Sequence, residues 1–158
     1  MALVASEIMT RKVVTALPDA TVAQLARLMA DNGISAVPIC DQDGALLGMV
    51  SEGDLIPALG QKPADRRAWW LEVLTEGTDL APEFLEYIRL DHRPAEKFMQ
   101  RTMITASERS SVTEIADLLS QHHIKRVPIV RDGRLVGIVS RADLIRAIVR
   151  SPDALAGN

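Results

Sequence analysis

The residues of this chain best equipped for chemistry are two matching pairs, Ser51-x-x-Asp54 and Ser140-x-x-Asp143, each entered from a Gly-x-Val step (Gly48-Met49-Val50 and Gly137-Ile138-Val139). An ionised aspartate presents two acceptor oxygens with no donor of its own. A serine at a helix start sets a hydroxyl and backbone N–H groups beside a dipole that favours anions. Near the second pair in type stands Lys125-Arg126, and a guanidinium is the side chain best shaped to fork onto phosphate oxygens. These groups bind; they do not break bonds. The chain has no Gly-x-Ser-x-Gly, no phosphate-binding P-loop and no nucleophile with a plausible base, so no catalytic residue is expected. The same Ser-x-x-Asp spacing also serves a purely structural end, because serine is a good N-cap and an aspartate three residues on suits the first helical turn.

Other reactive side chains are read more simply. His92, His122 and His123 have no i, i+4 partner among themselves or with cysteine, and no metal site is expected. The single cysteine, Cys40, has no internal disulfide partner and should pack as a small buried hydrophobe. With an N-terminus, MALVASEIMTRK, that lacks a signal-peptide apolar stretch, it sets the expectation of a reducing, cytoplasmic setting. No apolar run reaches the length of a membrane helix. The formal charge of −3 argues against nucleic acid as a partner. Residues 1–60 are net acidic and residues 95–158 net basic, so an anionic ligand should favour the C-terminal part.

The elements that must position these groups come from an internal repeat. Met9-Thr10-Arg11 matches Met99-Gln100-Arg101, and Ile34 to Ile39 matches Ile124 to Ile129, both at an offset of 90. Gly48 to Ile56 then matches Gly137 to Ile145 at an offset of 89, the difference falling in a turn, where a deletion is easily tolerated. Each copy reads β-α-β-β-α. A short strand (Val13–Thr15; Met103–Thr105) leads to a capping box, Thr21-Val-Ala-Gln24 or Ser111-Val-Thr-Glu114, that opens a helix. Val22, Leu25, Ala26 and Met29, like Val112, Ile115, Ala116 and Leu119, fall on one apolar face. Gly33 ends the first helix as a C′ glycine. Strands Val37–Cys40 and Leu46–Val50, and Val127–Val130 and Leu135–Val139, form hairpins. Asp132-Gly133 is a two-residue turn signal. Pro38 and Pro128 must sit where the ladder needs no N–H. A last helix starts at Ser51 or Ser140.

The expected organisation is a first repeat at 1–60, a helical insert at 61–94 carrying Arg66, Arg67, Trp69 and Trp70, a second repeat at 95–150, and a tail at 151–158. The tryptophan-bearing segment reads as core packing or a partner-docking helix. The tail reads as an end or as a lead into a further domain. A unit of about 60 residues buries only about 60% of its surface, so the copies should pack together.

The Gly-x-Val-Ser-x-x-Asp steps, the Met-Thr-x-x-Val opening and the Ile-Lys-Arg-Val-Pro-Ile-Val strand together resemble the CBS domain, in both copies and over about two thirds of the chain. The resemblance implies an α/β (α+β) fold of two CBS repeats packed as a pseudo-twofold pair, with clefts that take an adenine nucleotide: AMP, ADP, ATP or S-adenosylmethionine. It implies that Ser51 and Asp54, and Ser140 and Asp143, face ribose hydroxyls. Val14-Thr15 and Ile104-Thr105 would border adenine, and Lys125-Arg126, just before Val127-Pro128, would meet phosphate. Copy one departs from the pattern, with Ser35-Ala36 in place of the basic pair, so the better nucleotide site is expected in copy two. The implied function is that of a non-enzymatic regulatory module, homodimeric, which signals by changing its association with a protein partner. A ligand-free homodimerisation scaffold is the alternative.

Overall fold

The computed structural model describes residues 2–59 and 93–155. The expected helices of the insert, with Trp69 and Trp70, lie outside the described residues. The element order is α1 (Ala5–Ile8), α2 (Val22–Asn32), β1 (Ala36–Cys40), β2 (Leu46–Ser51), α3 (Glu52–Leu59), a 3-10 turn at Ala95–Lys97, α4 (Val112–Gln121), β3 (Arg126–Arg131), β4 (Arg134–Ser140), α5 (Arg141–Arg150) and a 3-10 turn at Pro152–Leu155. β1 pairs with β2 and β3 with β4.

Both capping boxes form. Gln24 N–H donates to Thr21 Oγ1 at 3.2 Å and Thr21 N–H to Gln24 Oε1 at 2.9 Å. Glu114 N–H donates to Ser111 Oγ at 3.1 Å and Ser111 N–H to Glu114 Oε2 at 2.9 Å. The apolar faces of α2 and α4 go inside: Val22, Leu25, Val112 and Ile115 are fully buried. The β3–β4 turn is the two-residue Asp132-Gly133 step, with both residues at positive φ (53° and 77°), the geometry that matches strand twist.

The strands expected at Val13–Thr15 and Met103–Thr105 are not strands. Each segment makes a single parallel bridge just beyond, Ala16 to Ile39 and Ala106 to Ile129. Ala16 N–H donates to Pro38 O at 3.1 Å, and Cys40 N–H donates to Ala16 O at 2.9 Å. Ala106 does the same between Pro128 and Val130, at 3.0 and 2.9 Å. The prolines explain why the ladder stops there. Pro128 spends its carbonyl on Ala106 and has no N–H to extend the pairing toward Ile104. On the other side it faces Ile138, whose N–H and C=O are both committed to Thr10.

The described residues divide into two compact units that cut across the repeat. Unit 1 joins residues 2–13 and 42–46 to residues 102–155, and unit 2 joins residues 14–41 to residues 47–59 and 93–101. The opening segment of each copy is therefore built into the unit that holds most of the other copy. In unit 1, Thr10 bridges Ile138 on β4, and Ala5 and Met9 enter the core of Val112, Ile115, Val127, Ile129 and Val139. In unit 2, Gln100 bridges Met49 on β2, and Ala95 and Met99 enter the core of Val22, Leu25, Val37, Ile39 and Val50. An arginine pins each segment on itself: Arg11 Nη2 donates to Ser6 O at 2.8 Å and Arg101 Nη2 to Glu96 O at 3.1 Å.

This exchange explains the glycines that open the Gly-x-Val-Ser steps. A Cβ on Gly48 would stand 2.6 Å from Met99 Sδ and 2.9 Å from Gln100 O. A Cβ on Gly137 would run into Met9 Sδ, with Thr10 O at 3.1 Å. Neither glycine is needed for a special φ; each is needed for room.

Candidate functional site

Each unit gathers its own set of the expected residues at the open end of its hairpin. In unit 1, Arg126 is the cross-strand partner of Ser140. Arg141 N–H donates to Lys125 O at 3.1 Å, which fastens the start of α5 to the residue before β3. Ile104 and Thr105 lead into the bridge between Ala106 and Ile129, beside Val127 and Pro128 on the same strand. Lys125 and Thr105 are exposed, Arg126 and Ile104 half-buried, and Val127 and Pro128 buried. In unit 2, Glu52 N–H donates to Ser35 O at 3.0 Å, and Val14-Thr15 lead into the bridge between Ala16 and Ile39. The structure thus groups Ile104, Thr105, Lys125, Arg126, Ser140 and Asp143 in one unit, and Val14, Thr15, Ser51 and Asp54 in the other.

Both aspartates bond back to the serine three residues before them. Ser140 N–H donates to Asp143 Oδ2 at 2.8 Å and Ser140 Oγ donates to the same oxygen at 3.0 Å, while Asp143 N–H donates back to Ser140 Oγ at 3.2 Å. This is a capping box in which aspartate plays the part usual for glutamate. In copy one, Ser51 N–H and Oγ donate to Asp54 Oδ2 at 2.8 and 3.0 Å.

The second oxygens differ. Asp143 Oδ1 takes the Arg146 guanidinium and, at 3.5 Å, the Thr10 hydroxyl. Asp54 Oδ1 takes the Gln100 amide at 3.0 Å and, among the described residues, no cation. Asp143 is 6% exposed, whereas Asp54 is half-buried. Sequence reasoning missed Thr10, Gln100 and Arg146. Thr10 and Gln100 occupy equivalent places in the repeat, and both follow the methionines that enter the cores. Their meeting with Asp143 and Asp54 comes from the exchange of segments, which no local spacing reveals. Arg146 carried a visible signal, since it lies one turn after Asp143, a spacing at which helical side chains pair.

Cys40 is buried and free. Burial, with the Asp41 carboxylate adding to it, pushes its thiol above the ordinary value. Among the described residues no group of three His, Cys, Asp or Glu side chains could hold a metal ion, and no helix is long and apolar enough to cross a membrane.

The CBS domain family matches residues 5–61 and 95–150, and the chain belongs to that family. Protein MJ1426 of Methanocaldococcus jannaschii is 29% identical over 161 residues, covering 88% of both chains. Among solved structures, CBSX2 of Arabidopsis thaliana in complex with AMP superposes with a TM-score of 0.71 at 20% identity, over 94% of this chain and 98% of that one. The CBS domain pair of protein MJ0100, in complex with 5′-methylthioadenosine and S-adenosylmethionine, gives 0.67 at 22% identity, over 95% and 98%. The fold is that of a CBS-pair protein.

Proposed function

We propose that this protein is a regulatory module, not a catalyst, that binds an adenine nucleotide and signals by changing its association with a protein partner. The observation that carries this reading is the convergence in unit 1 of an anchored carboxylate, Asp143, with the helix start at Ser140 and the basic pair Lys125-Arg126. The carboxylate is an acceptor for ribose hydroxyls, and the cations and helix start suit phosphate. Ile104-Thr105 would border adenine beside Val127 and Pro128. Unit 2 offers Val14, Thr15, Ser51 and Asp54 without the basic pair. The two CBS-pair neighbours were solved with ligands that share an adenosine moiety, which supports adenine as the base; AMP, ADP, ATP and S-adenosylmethionine are the candidates.

The same reading makes the protein a cytoplasmic homodimer. Ile145 and Val149 stand 62% and 75% exposed one turn apart on α5, an apolar face suited to a second copy. A dimer mass by light scattering is expected, and a monomer at high micromolar concentration would remove this part.

One observation favours a second reading, that of a ligand-free scaffold: the Asp143 carboxylate is already satisfied by protein donors. Thermal unfolding with AMP, ATP and S-adenosylmethionine separates the two. Ligand at ~100 times its Kd adds about 2.7 kcal/mol, and each kcal/mol raises Tm by roughly 2–4 °C in a chain of this size. A rise of about 5 °C or more is expected. No shift with any of the three at millimolar concentration would favour the scaffold.

A further inference from the structure

Arg146 stands where a sugar diol would have to bind. A carboxylate offers about four lone-pair sites. Asp143 fills two of them, on Oδ2, with the Ser140 cap, and its Oδ1 with Arg146 and Thr10. The cap belongs to the helix start and stays, so a diol must be received at Oδ1, and Arg146 is the stronger of the two occupants there. Its side chain is 60% exposed, free to swing outward, while the carboxylate beneath it is 6% exposed. An incoming phosphate provides somewhere for a guanidinium to go; an uncharged nucleoside does not.

In unit 2 the equivalent position is Pro57, and among the described residues Asp54 Oδ1 meets the neutral Gln100 amide and no arginine. We propose that Arg146 is a specificity gate for copy two. It holds Asp143 closed to neutral diols and releases it when an anionic group draws the guanidinium away, so that unit 1 selects nucleotides over nucleosides. Unit 2, without the gate, takes the diol regardless of charge. This rests on the nucleotide reading above and assigns each unit a different ligand requirement.

The test is calorimetric titration of adenosine and AMP into the wild-type protein, Asp54→Asn, Arg146→Gln and the double variant. Asp54→Asn confines diol binding to unit 1. In that background AMP should still bind, and adenosine should bind at least about tenfold more weakly than AMP, the loss expected for a charge-involving hydrogen bond. Adding Arg146→Gln should tighten adenosine about tenfold and weaken AMP, collapsing the ratio toward one. Arg146→Lys, which keeps the charge, should restore most of the discrimination. An AMP-to-adenosine ratio that Arg146→Gln leaves within about twofold, or parallel weakening of both ligands, overturns the gate alone. Absence of binding by both ligands in all proteins overturns the nucleotide reading and the gate with it.

Discussion

Copy one and copy two share nearly every backbone device yet finish them with different side chains. Both final helices begin with a serine whose N–H and hydroxyl meet an aspartate three residues on, but Asp143 is buried under an arginine and Asp54 is half-buried under a glutamine. Both α2 and α4 close with the same bond, Ile34 N–H to Met29 O at 3.0 Å and Ile124 N–H to Leu119 O at 3.1 Å. The residue before that isoleucine is Gly33 at φ 60° in one and His123 at φ 52° in the other. The turn after β1 runs from Asp41 to Ala45, while that after β3 is two residues. Backbone geometry is thus conserved within the repeat where packing demands it. Side chains diverge where a helix start or a turn can tolerate either choice.

The largest expected effects test the division into units. Leu25→Ala and Ile115→Ala remove fully buried side chains and should each cost about 2–5 kcal/mol. Hydrogen exchange should report them in different places. Leu25→Ala should lower amide protection at 14–41 and 93–101, and Ile115→Ala at 2–13 along with 102–155. Loss of protection at 2–13 in the Leu25 variant but not in the Ile115 variant would refute the exchange of segments.

Next in size are the aspartates. Asp143→Ala removes a buried acceptor, leaves the Ser140, Thr10 and Arg146 donors unpaired and should lower stability by about 1.5–3 kcal/mol, whereas Asp54→Ala, half-buried and with no cationic partner among the described residues, should cost about 0.5–1.5 kcal/mol. Denaturant melts measure both, and equal losses would erase the difference drawn between the two copies.

Smaller again is the helix end. His123→Gly should stabilise by about 1 kcal/mol, because a left-handed backbone carries a Cβ penalty that glycine lacks, and Gly33→Ala should destabilise by a similar amount. Opposite signs in Tm are the expected result. Two changes of the same sign would mean that side-chain contacts at 123, not backbone conformation, set the balance.

The smallest effect concerns Cys40. Its folded thiol is held above the ordinary value of 9.0 by burial first and Asp41 second. The unfolded thiol therefore loses its proton at lower pH than the folded one. The stability this contributes is full below the ordinary thiol range and is lost as pH rises from about 9 through the folded value. Cys40→Ala should flatten that decline in a series of melts, and thiol reagents should label the native wild-type protein slowly.

The sequence by itself determined the repeat, the capping boxes, the apolar faces of α2 and α4, the Asp132-Gly133 turn and the family. The repeat was legible from matched motifs at an offset of 89–90, and the other features depend on spacing within a dozen residues, the range over which helical and strand periodicity operate. The bridges at Ala16 and Ala106 were legible only as overlong strands, because β propensity marks a segment as extended without saying how many partners it will find. The four-residue α1 and the 3-10 turn at Ala95 are too short to carry a period. Tertiary structure alone decided that Met9 packs under Gly137 and Met99 under Gly48, and that Thr10 and Gln100 reach Asp143 and Asp54. Those contacts join residues 46 to 133 positions apart, and packing in three dimensions, not local spacing, chooses such partners.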